Sequence, residues 1–452
     1  MVTASTREFA EVELAFDTRR MGRLLADGAG LTGGSCHILD AKYEPARHCS
    51  MLYQLDSTMI LGMLGWGGMP RDHDRGWDLP TTKMRIYRWP HDPALATLPT
   101  VLGSGVLARA LEQVLPGVER VVRCTVTPVR YRPARRCTLR IDARILLGPG
   151  SADTGSDASA ASWPGSAAPA AGPQPRTLYA KVYHDLSKAR LAAATLRTLA
   201  ETPPATSPHE GQLLVPRPVA FLPDLALVLC EPVIGTGLEL LLGDRRHAAT
   251  SIPAAAGALA ALHRADLLPV PTRTVAFELD QLTDRALRIR EYDASLGARM
   301  ADLATILASC SPGAGEVSVV HGDCKPSQFL VDPSGRVALL DLDGCRLADP
   351  AGDVGAFTAT LRRGRVRARL RRQRHPSRLP DRLAASREKD FLEAYCLATG
   401  RGAGFRERVK WYEALALLRK AQRAFARAPR SPLPAAILSE ANRCLREARL
   451  RR

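Results

Sequence analysis

One segment of the chain joins an apolar strand to side chains that could move a proton. Residues 319–332 read Val-Val-His-Gly-Asp-Cys-Lys-Pro-Ser-Gln-Phe-Leu-Val-Asp and contain His321, Gly322 and Asp323. An amide, Gln328, follows five residues after the aspartate. A loop carboxylate next to a strand end is suited to accept a hydroxyl proton.

A second segment, residues 336–344, repeats the pattern of an apolar strand that ends in carboxylates. Its strand runs into Asp341, and Asp343 lies two residues further on. Carboxylate and amide oxygens on two neighbouring loops suit a hard cation such as Mg²⁺ together with phosphate. Two strands with acidic turn residues are the structural alternative, but a turn does not require His-Gly-Asp with an amide at this offset.

Together these segments resemble the aminoglycoside-phosphotransferase-like branch of the protein-kinase-like fold, which also includes choline, homoserine, sugar and maltose kinases. The family's catalytic loop reads H-G-D-x-x-x-x-N, and its metal loop is an aspartate after a short apolar strand. His321, Gly322 and Asp323 match the first motif and Asp341 the second, within a resemblance that spans residues 120–445. It implies a small-molecule kinase with ATP and Mg²⁺ as cofactors.

The resemblance also implies a role for each residue of these loops. Asp323 would be the catalytic residue that orients or deprotonates the acceptor hydroxyl, and Lys325 would add positive charge near the transferred phosphoryl group. Gln328 and Asp341 would hold Mg²⁺, with Asp343 beside them. Gln328 departs from the family's usual Asn, although maltose-kinase-like members also carry Gln here, and Mg²⁺ demands near-ideal octahedral geometry.

Four residues that precede these loops in the chain match positions at which the family binds its nucleotide. Lys181, in the strand-like Ala-Lys-Val, is expected to contact the ATP phosphates. The segment from Cys230 to Gly235, with Glu231 and Val233, resembles the hinge that binds adenine through its backbone. No G-x-G-x-x-G loop is present. The Tyr-Arg-Pro-Ala-Arg-Arg turn that replaces it offers Arg135, either as a phosphate contact or as part of a solvated turn.

Two further residues match family landmarks and are expected to be structural. His263 ends a Leu-Ala-Ala-Leu-His segment and is expected to pack inside the fold. Asp353 follows Asp-Pro in a segment like the family's D-P-x-x-D-x-A and is expected to act as a cap.

The elements that must position these residues change character along the chain. Strand-like runs at 137–147 and 177–183 flank a segment, 148–175, whose Ala, Ser, Gly and Pro content predicts a flexible loop. Beyond residue 250 the periodicity becomes helical. Strands followed by helices indicate an α+β, two-lobed body. Helices are predicted at 254–263, 282–309, 387–399, 405–428 and 434–451.

An internal repeat lies in the first part of the chain. Residues 36–49 align without gaps on 124–137, with six of fourteen positions identical, including Tyr-x-Pro-Ala-Arg-x-Cys. Both copies predict strand, tight turn, strand, and we interpret them as a duplicated hairpin rather than a chance similarity. The predicted division is therefore an N-terminal α/β domain at 1–115, a β-rich lobe at 116–235, and a helical lobe at 236–452.

The net charge of +17 is concentrated at one end of the chain. Residues 361–452 contain 26 Lys and Arg against 8 Asp and Glu, and the run 361–374 alone holds eight arginines. Either this is a solvated basic face or it meets an acidic acceptor, carrier or nucleic acid. It argues against a polycationic aminoglycoside as substrate. No helix-turn-helix, zinc or RNP-type motif supports nucleic-acid binding.

Other bulk features favour a cytoplasmic protein. No signal-peptide core or membrane span is recognisable, and no membrane partner is expected. The ten cysteines are scattered, with no C-x-x-C pair, which is typical of reduced thiols.

Three functional hypotheses remain open at this level. The first is ATP-dependent phosphorylation of a hydroxyl on a small molecule such as a sugar, amino sugar or antibiotic. The second is a peptide or protein Ser/Thr kinase of a natural-product pathway. The third is a catalytically weak, kinase-like binding protein.

Overall fold

The computed structural model describes residues 4–30, 34–65, 76–79, 82–103, 105–148, 172–201, 213–266, 269–313, 315–372 and 381–449. The chain forms two compact units. The first unit comprises Met1–Arg88, Thr198–Val215 and Val233–Arg452, and the second comprises Trp89–Arg197 and Pro216–Pro232.

The N-terminal part of the first unit is a helix pair followed by a sheet. The helices are α1 (Ala4–Phe16) and α2 (Thr18–Ala29); the strands are β1 (Cys36–Glu44), β2 (His48–Leu55), β3 (Thr58–Gly65), β4 (Gly76–Asp78) and β5 (Arg85–Arg88). The antiparallel sheet has the order β1-β2-β3-β5-β4. Asp17 caps α2 by accepting from the backbone N–H groups of Arg19 and Arg20. Gly30 ends α2 in the left-handed conformation.

The second unit is also a helix-backed, five-stranded antiparallel sheet. Its elements are α3 (Leu98–Leu102), α4 (Gly105–Val114), β6 (Val118–Arg132), β7 (Arg136–Leu147), β8 (Gln174–Tyr183), α5 (Leu186–Ala200), β9 (Pro218–Leu222) and β10 (Leu227–Cys230). The strand order is β6-β7-β8-β10-β9. Alternate residues of β7, such as Leu139 and Ile141, are buried in one core with Leu107 and Leu111 of α4, because successive strand residues point to opposite faces.

The rest of the first unit is mainly helical. It contains β11 (Thr236–Gly237), α6 (Leu238–Leu241), α7 (Arg245–Arg264), α8 (Val275–Tyr292), α9 (Ala294–Ser309), β12 (Ser318–Val320), β13 (Phe329–Val331), β14 (Val337–Leu339), β15 (Arg346–Ala348), α10 (Ala351–Arg372), α11 (Asp381–Thr399), α12 (Ala403–Arg427) and α13 (Leu433–Arg449). Short ladders pair β13 with both β11 and β14, and β12 with β15. No helix among the described residues is long and apolar enough to cross a membrane.

Most of the predicted elements are present, with two corrections. The helix predicted at 282–309 is in fact two helices, because the Asp293 side chain caps α9 by accepting from the backbone N–H of Leu296 at 2.9 Å. The helix predicted from residue 254 begins at Arg245, with Asp244 as its cap, and continues through Pro253. Most of the predicted flexible loop, 149–171, lies outside the described residues.

The repeat seen in the sequence is a repeat in the structure. Each copy is a hairpin whose turn holds an alanine in the left-handed region, Ala46 at φ 59° and Ala134 at φ 55°. In each, the repeated tyrosine pairs across the hairpin with the repeated cysteine: Tyr43 with Cys49, and Tyr131 with Cys137.

An equivalent carboxylate secures each of these turns. Glu8 accepts hydrogen bonds from the Tyr43 hydroxyl and the Ala46 N–H, both at 2.9 Å. Asp92 accepts from the Tyr131 hydroxyl and the Ala134 N–H, both at 2.7 Å. With the shared strand order, this indicates that the duplication extends to the five-stranded sheet and its carboxylate anchor.

Candidate active site

The His-Gly-Asp segment forms the loop that follows β12. The Asp323 side chain is 33% exposed and forms an ion pair with Lys325. Burial opposes the charged form of Asp323, but the Lys325 ammonium and the Arg423 guanidinium outweigh it and hold the pKa of this carboxyl below its ordinary value. Asp323 is therefore ionised and available as a proton acceptor at neutral pH.

A buried carboxylate holds the backbone of this loop. Asp353, at the start of α10, accepts hydrogen bonds from the N–H groups of His321 at 2.6 Å and Gly322 at 3.0 Å. It also pairs with His263 Nε2 at 3.1 Å, and His263 Nδ1 contacts the Tyr395 hydroxyl at 2.7 Å. Burial raises the pKa of Asp353, but His263 and the loop hold it below its ordinary value. His263 thus packs inside the fold as predicted, whereas Asp353, predicted to be a cap, instead anchors the backbone of the loop.

The loop after β14 is tied directly to the His-Gly-Asp loop, which is the candidate catalytic loop. His321 Nε2 lies 2.9 Å from the Leu340 carbonyl oxygen, and the Leu340 N–H donates to the Gln328 carbonyl at 2.8 Å. Gly322, at φ 76°, leaves no room for a side chain, since a Cβ there would lie 2.1 Å from the Gly344 carbonyl oxygen. The two loops therefore pack against each other as one rigid assembly.

Gln328 and Asp341 come together at the junction of these loops. The Gln328 amide nitrogen donates to the Asp341 carboxylate at 3.1 Å, and Gln328 is buried. Asp341 adopts φ 60°, a left-handed conformation that aspartate tolerates better than most residues. Asp343 lies in the following turn, half-buried.

This pair fits a magnesium ion that shares its coordination with phosphate. One carboxylate and one amide oxygen are hard ligands, and Mg²⁺ is usually held by one or two protein groups plus phosphates and water. Among the described residues, no group of three or more His, Cys, Asp or Glu side chains forms a complete metal cage. An ion at Asp341 and Gln328 would thus take its remaining ligands from a phosphorylated substrate and water.

The predicted nucleotide residues of the second unit lie on its sheet and at its rim. Lys181 is on β8, opposite Thr138 of β7 and Val228 of β10, and its ammonium lies 5.9 Å from the Tyr183 ring centroid. Arg135 is exposed in the repeat hairpin turn.

The residues of the predicted hinge follow β10. Glu231 pairs with Arg176 at 3.3 Å, and its N–H donates to the Arg217 carbonyl at 2.9 Å. Val233, half-buried, is the first residue of the next segment of the first unit.

The two copies of the sheet differ at the position of the strand lysine. In the second sheet, Lys181 pairs with Thr138, which follows the repeated Cys137. In the first sheet, the equivalent residue Ser50, which follows Cys49, pairs with Met63. The N-terminal sheet therefore carries a buried methionine where the second sheet carries an ammonium group.

The sequence motifs do not single out three interacting cations of the helical region, of which Arg423 pairs with Asp323. Arg423 Nη1 lies 3.7 Å from Asp323 Oδ1. Lys420 Nζ, one turn earlier on α12, donates to Thr360 Oγ1 of α10 at 2.8 Å. The charges of Arg363 and Asp323 both affect the pKa of Lys420. The basic surplus beyond residue 361 indicated the region, but only the packing of α10 and α12 selects these residues.

Comparisons with known proteins give a family match and a fold. The model of the phosphotransferase enzyme family matches residues 170–387, which include both loops. A choline kinase from Cryptosporidium parvum Iowa II matches with a TM-score of 0.50 at 10% identity, covering 76% of this chain and 95% of its own. That likeness confirms the predicted protein-kinase-like α+β fold.

Two further solved structures are similar at lower scores. A macrolide 2'-phosphotransferase from Brachybacterium faecium has a TM-score of 0.43 at 15% identity, covering 75% of this chain and 98% of its own. An aminoglycoside phosphotransferase from Streptomyces rimosus, solved with ADP and streptomycin, has a TM-score of 0.36 at 20% identity. The match covers 54% of this chain and 90% of that protein. No curated protein matches the chain.

Proposed function

We propose, from the match of residues 170–387 to the model of the phosphotransferase enzyme family, that the chain transfers the γ-phosphoryl group of ATP to a hydroxyl of a small molecule. The observation that carries the proposal is the joining of two loops. The loop of Asp323 and the loop of Asp341 are fastened to each other through His321 and Leu340. A proton acceptor and a cation-binding carboxylate are thereby held in one rigid assembly.

Asp323 has the properties of the residue that receives the acceptor hydroxyl. Its carboxylate is partly exposed, ionised and anchored through the backbone of its loop. In this role it orients the hydroxyl and accepts its proton as the new O–P bond forms. Lys325, paired with Asp323, places a positive charge where the transferred phosphoryl group gains negative charge.

Gln328 and Asp341 are the proposed magnesium ligands. When bound, the ion would neutralise phosphate charge and help to fix the phosphates in line with the acceptor. The two side chains are in direct contact, so both residues belong to one site. Asp343, half-buried in the following turn, is the proposed additional carboxylate at this loop.

The sheet of the second unit is the proposed nucleotide lobe. Lys181, on its central strand β8, would neutralise charge on the non-transferred phosphates. Arg135, at the tip of the hairpin, is a proposed phosphate contact. The chain around Glu231 and Val233 would bind adenine through its backbone.

A cytoplasmic location is part of the proposal. It is supported by the ten cysteines, all of which are free thiols.

The test is an ADP-release assay over a panel of hydroxylated acceptors, followed by phosphorus NMR of the product. Wild-type protein is expected to show acceptor-dependent ADP release that requires Mg²⁺. Asp323→Asn is expected to lower kcat by about 10²–10⁴-fold while leaving the ATP Kd within a factor of two. Wild-type turnover in that variant, or phosphorylation of peptides but no small molecule, would refute the assignment.

A further inference from the structure

The two long helices α10 and α12 carry their positive charge on two different sides. On the first side, Arg362 is buried and pairs with Glu413 at 2.9 Å, Glu440 at 3.2 Å and Glu388 at 3.5 Å. Arg365 pairs with Glu388 at 3.0 Å. These carboxylates come from α11, α12 and α13, so the arginines of this side connect the helical bundle.

The second side meets the catalytic loop at Arg423, and we call it the cationic face: Arg363 and Arg367 of α10, and Lys420, Arg423 and Arg427 of α12. The spacings of four residues on α10, and of three and four on α12, place each set on one helix side. Arg423 contacts Asp323, and Arg427 Nε lies 3.7 Å from Asp40 Oδ1.

The cations of this face lie close enough to disfavour one another. Burial, followed by the charges of Arg427 and Arg367, lowers the pKa of Arg363. Burial, followed by the charge of Arg423, lowers the pKa of Lys420 to about 7, and Arg363 and Lys325 act in the same direction. Asp323 opposes the shift but does not offset it. An anion bound between α10 and α12 would relieve this repulsion.

We infer that the acceptor is an anionic alcohol, whose phosphate or carboxylate binds Arg423 and Lys420 while its hydroxyl reaches Asp323. This inference rests on the proposed phosphotransferase function and specifies its substrate class. Arginine forms paired hydrogen bonds with phosphate and carboxylate groups. The Thr360 hydroxyl, bonded to Lys420, holds that ammonium in place.

The position of Arg423 favours the acceptor over the nucleotide as the bound anion. Arg423 is 57% exposed and touches Asp323, the group that meets the acceptor hydroxyl. The proposed magnesium pair, Asp341 and Gln328, lies at the junction with the loop that follows β14. A small acceptor that bridges Arg423 and Asp323 would also discriminate against cationic alcohols, since these would meet like charges.

The first experiment compares related acceptors that carry different charges: glucose with glucose 6-phosphate and glucuronate, and glycerol with glycerol 3-phosphate and glycerate. An amino sugar, glucosamine, supplies the cationic member. We expect kcat/KM to be at least about tenfold higher for an anionic member than for its neutral parent, and the preference to weaken with added salt. Equal or better turnover of neutral or cationic members would overturn the inference.

The second experiment changes the cationic face. Arg423→Gln is expected to raise the KM for the anionic acceptor about 10–100-fold and to leave the KM for ATP within a factor of two. Arg406→Gln, at an exposed position of the same helix, is the matched control and should change neither constant. A rise in the KM for ATP without a rise for the acceptor would assign Arg423 to the nucleotide and refute the inference.

A binding measurement separates this inference from the proposed function. If no acceptor is phosphorylated, the proposed function fails, and the inference is then judged by calorimetry with glucose 6-phosphate, glucuronate and glucose. Binding of an anionic sugar that is at least about tenfold tighter than that of glucose, and that Arg423→Gln removes, would support an anion site. Equal binding of the three sugars, or no loss in the variant, would overturn it.

Discussion

The carboxylate of Asp353 lies 2.6 Å from the backbone nitrogen of His321, deep in the helical part of the first unit. The same carboxylate receives the N–H of Gly322 and the ring of His263. One buried charge therefore joins helix α7, helix α10 and the catalytic loop. Because Asp323 follows directly on these backbone groups, its position depends on Asp353 although the two side chains have different roles.

Replacing Asp353 by Asn should lower both stability and turnover. The amide can accept from the loop only through its oxygen, and its NH₂ group would face a backbone donor, so we expect a loss of about 2–4 kcal/mol in the free energy of unfolding. Denaturant melts and kcat measurements on the same preparations check this. Wild-type stability in the variant would contradict the role of the carboxylate.

The same variant should alter the acid dependence of stability. The pKa of Asp353 is depressed in the folded state, so its contribution is present above the ordinary value of 3.8 and is lost as pH falls through the folded pKa. Stability differences between wild type and Asp353→Asn should therefore shrink below pH 3.8. A difference that stays constant throughout this range would show that the carboxylate is not the source of the effect.

The protein should bind one nucleotide per chain, although it contains two similar sheets. Lys181 has Met63 as its counterpart in the N-terminal copy, and a thioether cannot neutralise phosphate. We expect calorimetry with a non-hydrolysable ATP analogue to give one site. Lys181→Ala should weaken it about tenfold or more, whereas Lys188→Ala, at an exposed position of the same unit, should not. Two sites, or unchanged affinity in Lys181→Ala, would contradict the proposed lobe.

Removing the amide of Gln328 should affect the magnesium requirement. Gln328→Leu keeps the volume of this buried side chain but loses its oxygen, so the Mg²⁺ concentration at half-maximal activity should rise at least about tenfold. Gln422→Leu makes the same change at a second buried glutamine, which donates to the Leu282 carbonyl at 2.7 Å. That control should lower stability without changing the Mg²⁺ concentration at half-maximal activity. If Gln328→Leu leaves that concentration unchanged as well, Gln328 is not part of the proposed magnesium site.

The sequence predicts those features whose signals are local. The two loops, the repeated hairpin and the α+β order follow from residues that are neighbours in the chain, and the structure contains all three. The break at Asp293 was missed because the apolar periodicity continues across it, and only the capping contact to Leu296 reveals it. The equivalence of Glu8 and Asp92 was missed because both lie outside the aligned repeat.

The surroundings of Asp323 could not be predicted for a different reason. Arg423 lies one hundred positions away in the sequence, and its contact with Asp323 depends on how α12 crosses the catalytic loop. Charge counting identified the basic end of the chain but could not separate Arg362, which is held by buried glutamates, from Arg363, which belongs to the cationic face. Tertiary packing makes that distinction.

Replacing Lys420 by Met should stabilise the folded protein in a pH-dependent way. Burial and nearby cations lower the pKa of Lys420 to about 7, so the unfolded chain binds one more proton than the folded chain between about pH 7 and the ordinary value of 10.5. The cost of the ammonium is therefore complete below pH 7 and declines as pH rises. Met keeps the apolar stem and removes the charge, so we expect a gain of about 1–3 kcal/mol at pH 6 that is smaller at pH 9.

Urea unfolding at both pH values measures this gain in stability, with the exposed Lys389→Met as the control that should show no such trend. A variant that is no more stable than wild type at pH 6, or whose gain does not depend on pH, would refute a strained ammonium at this position.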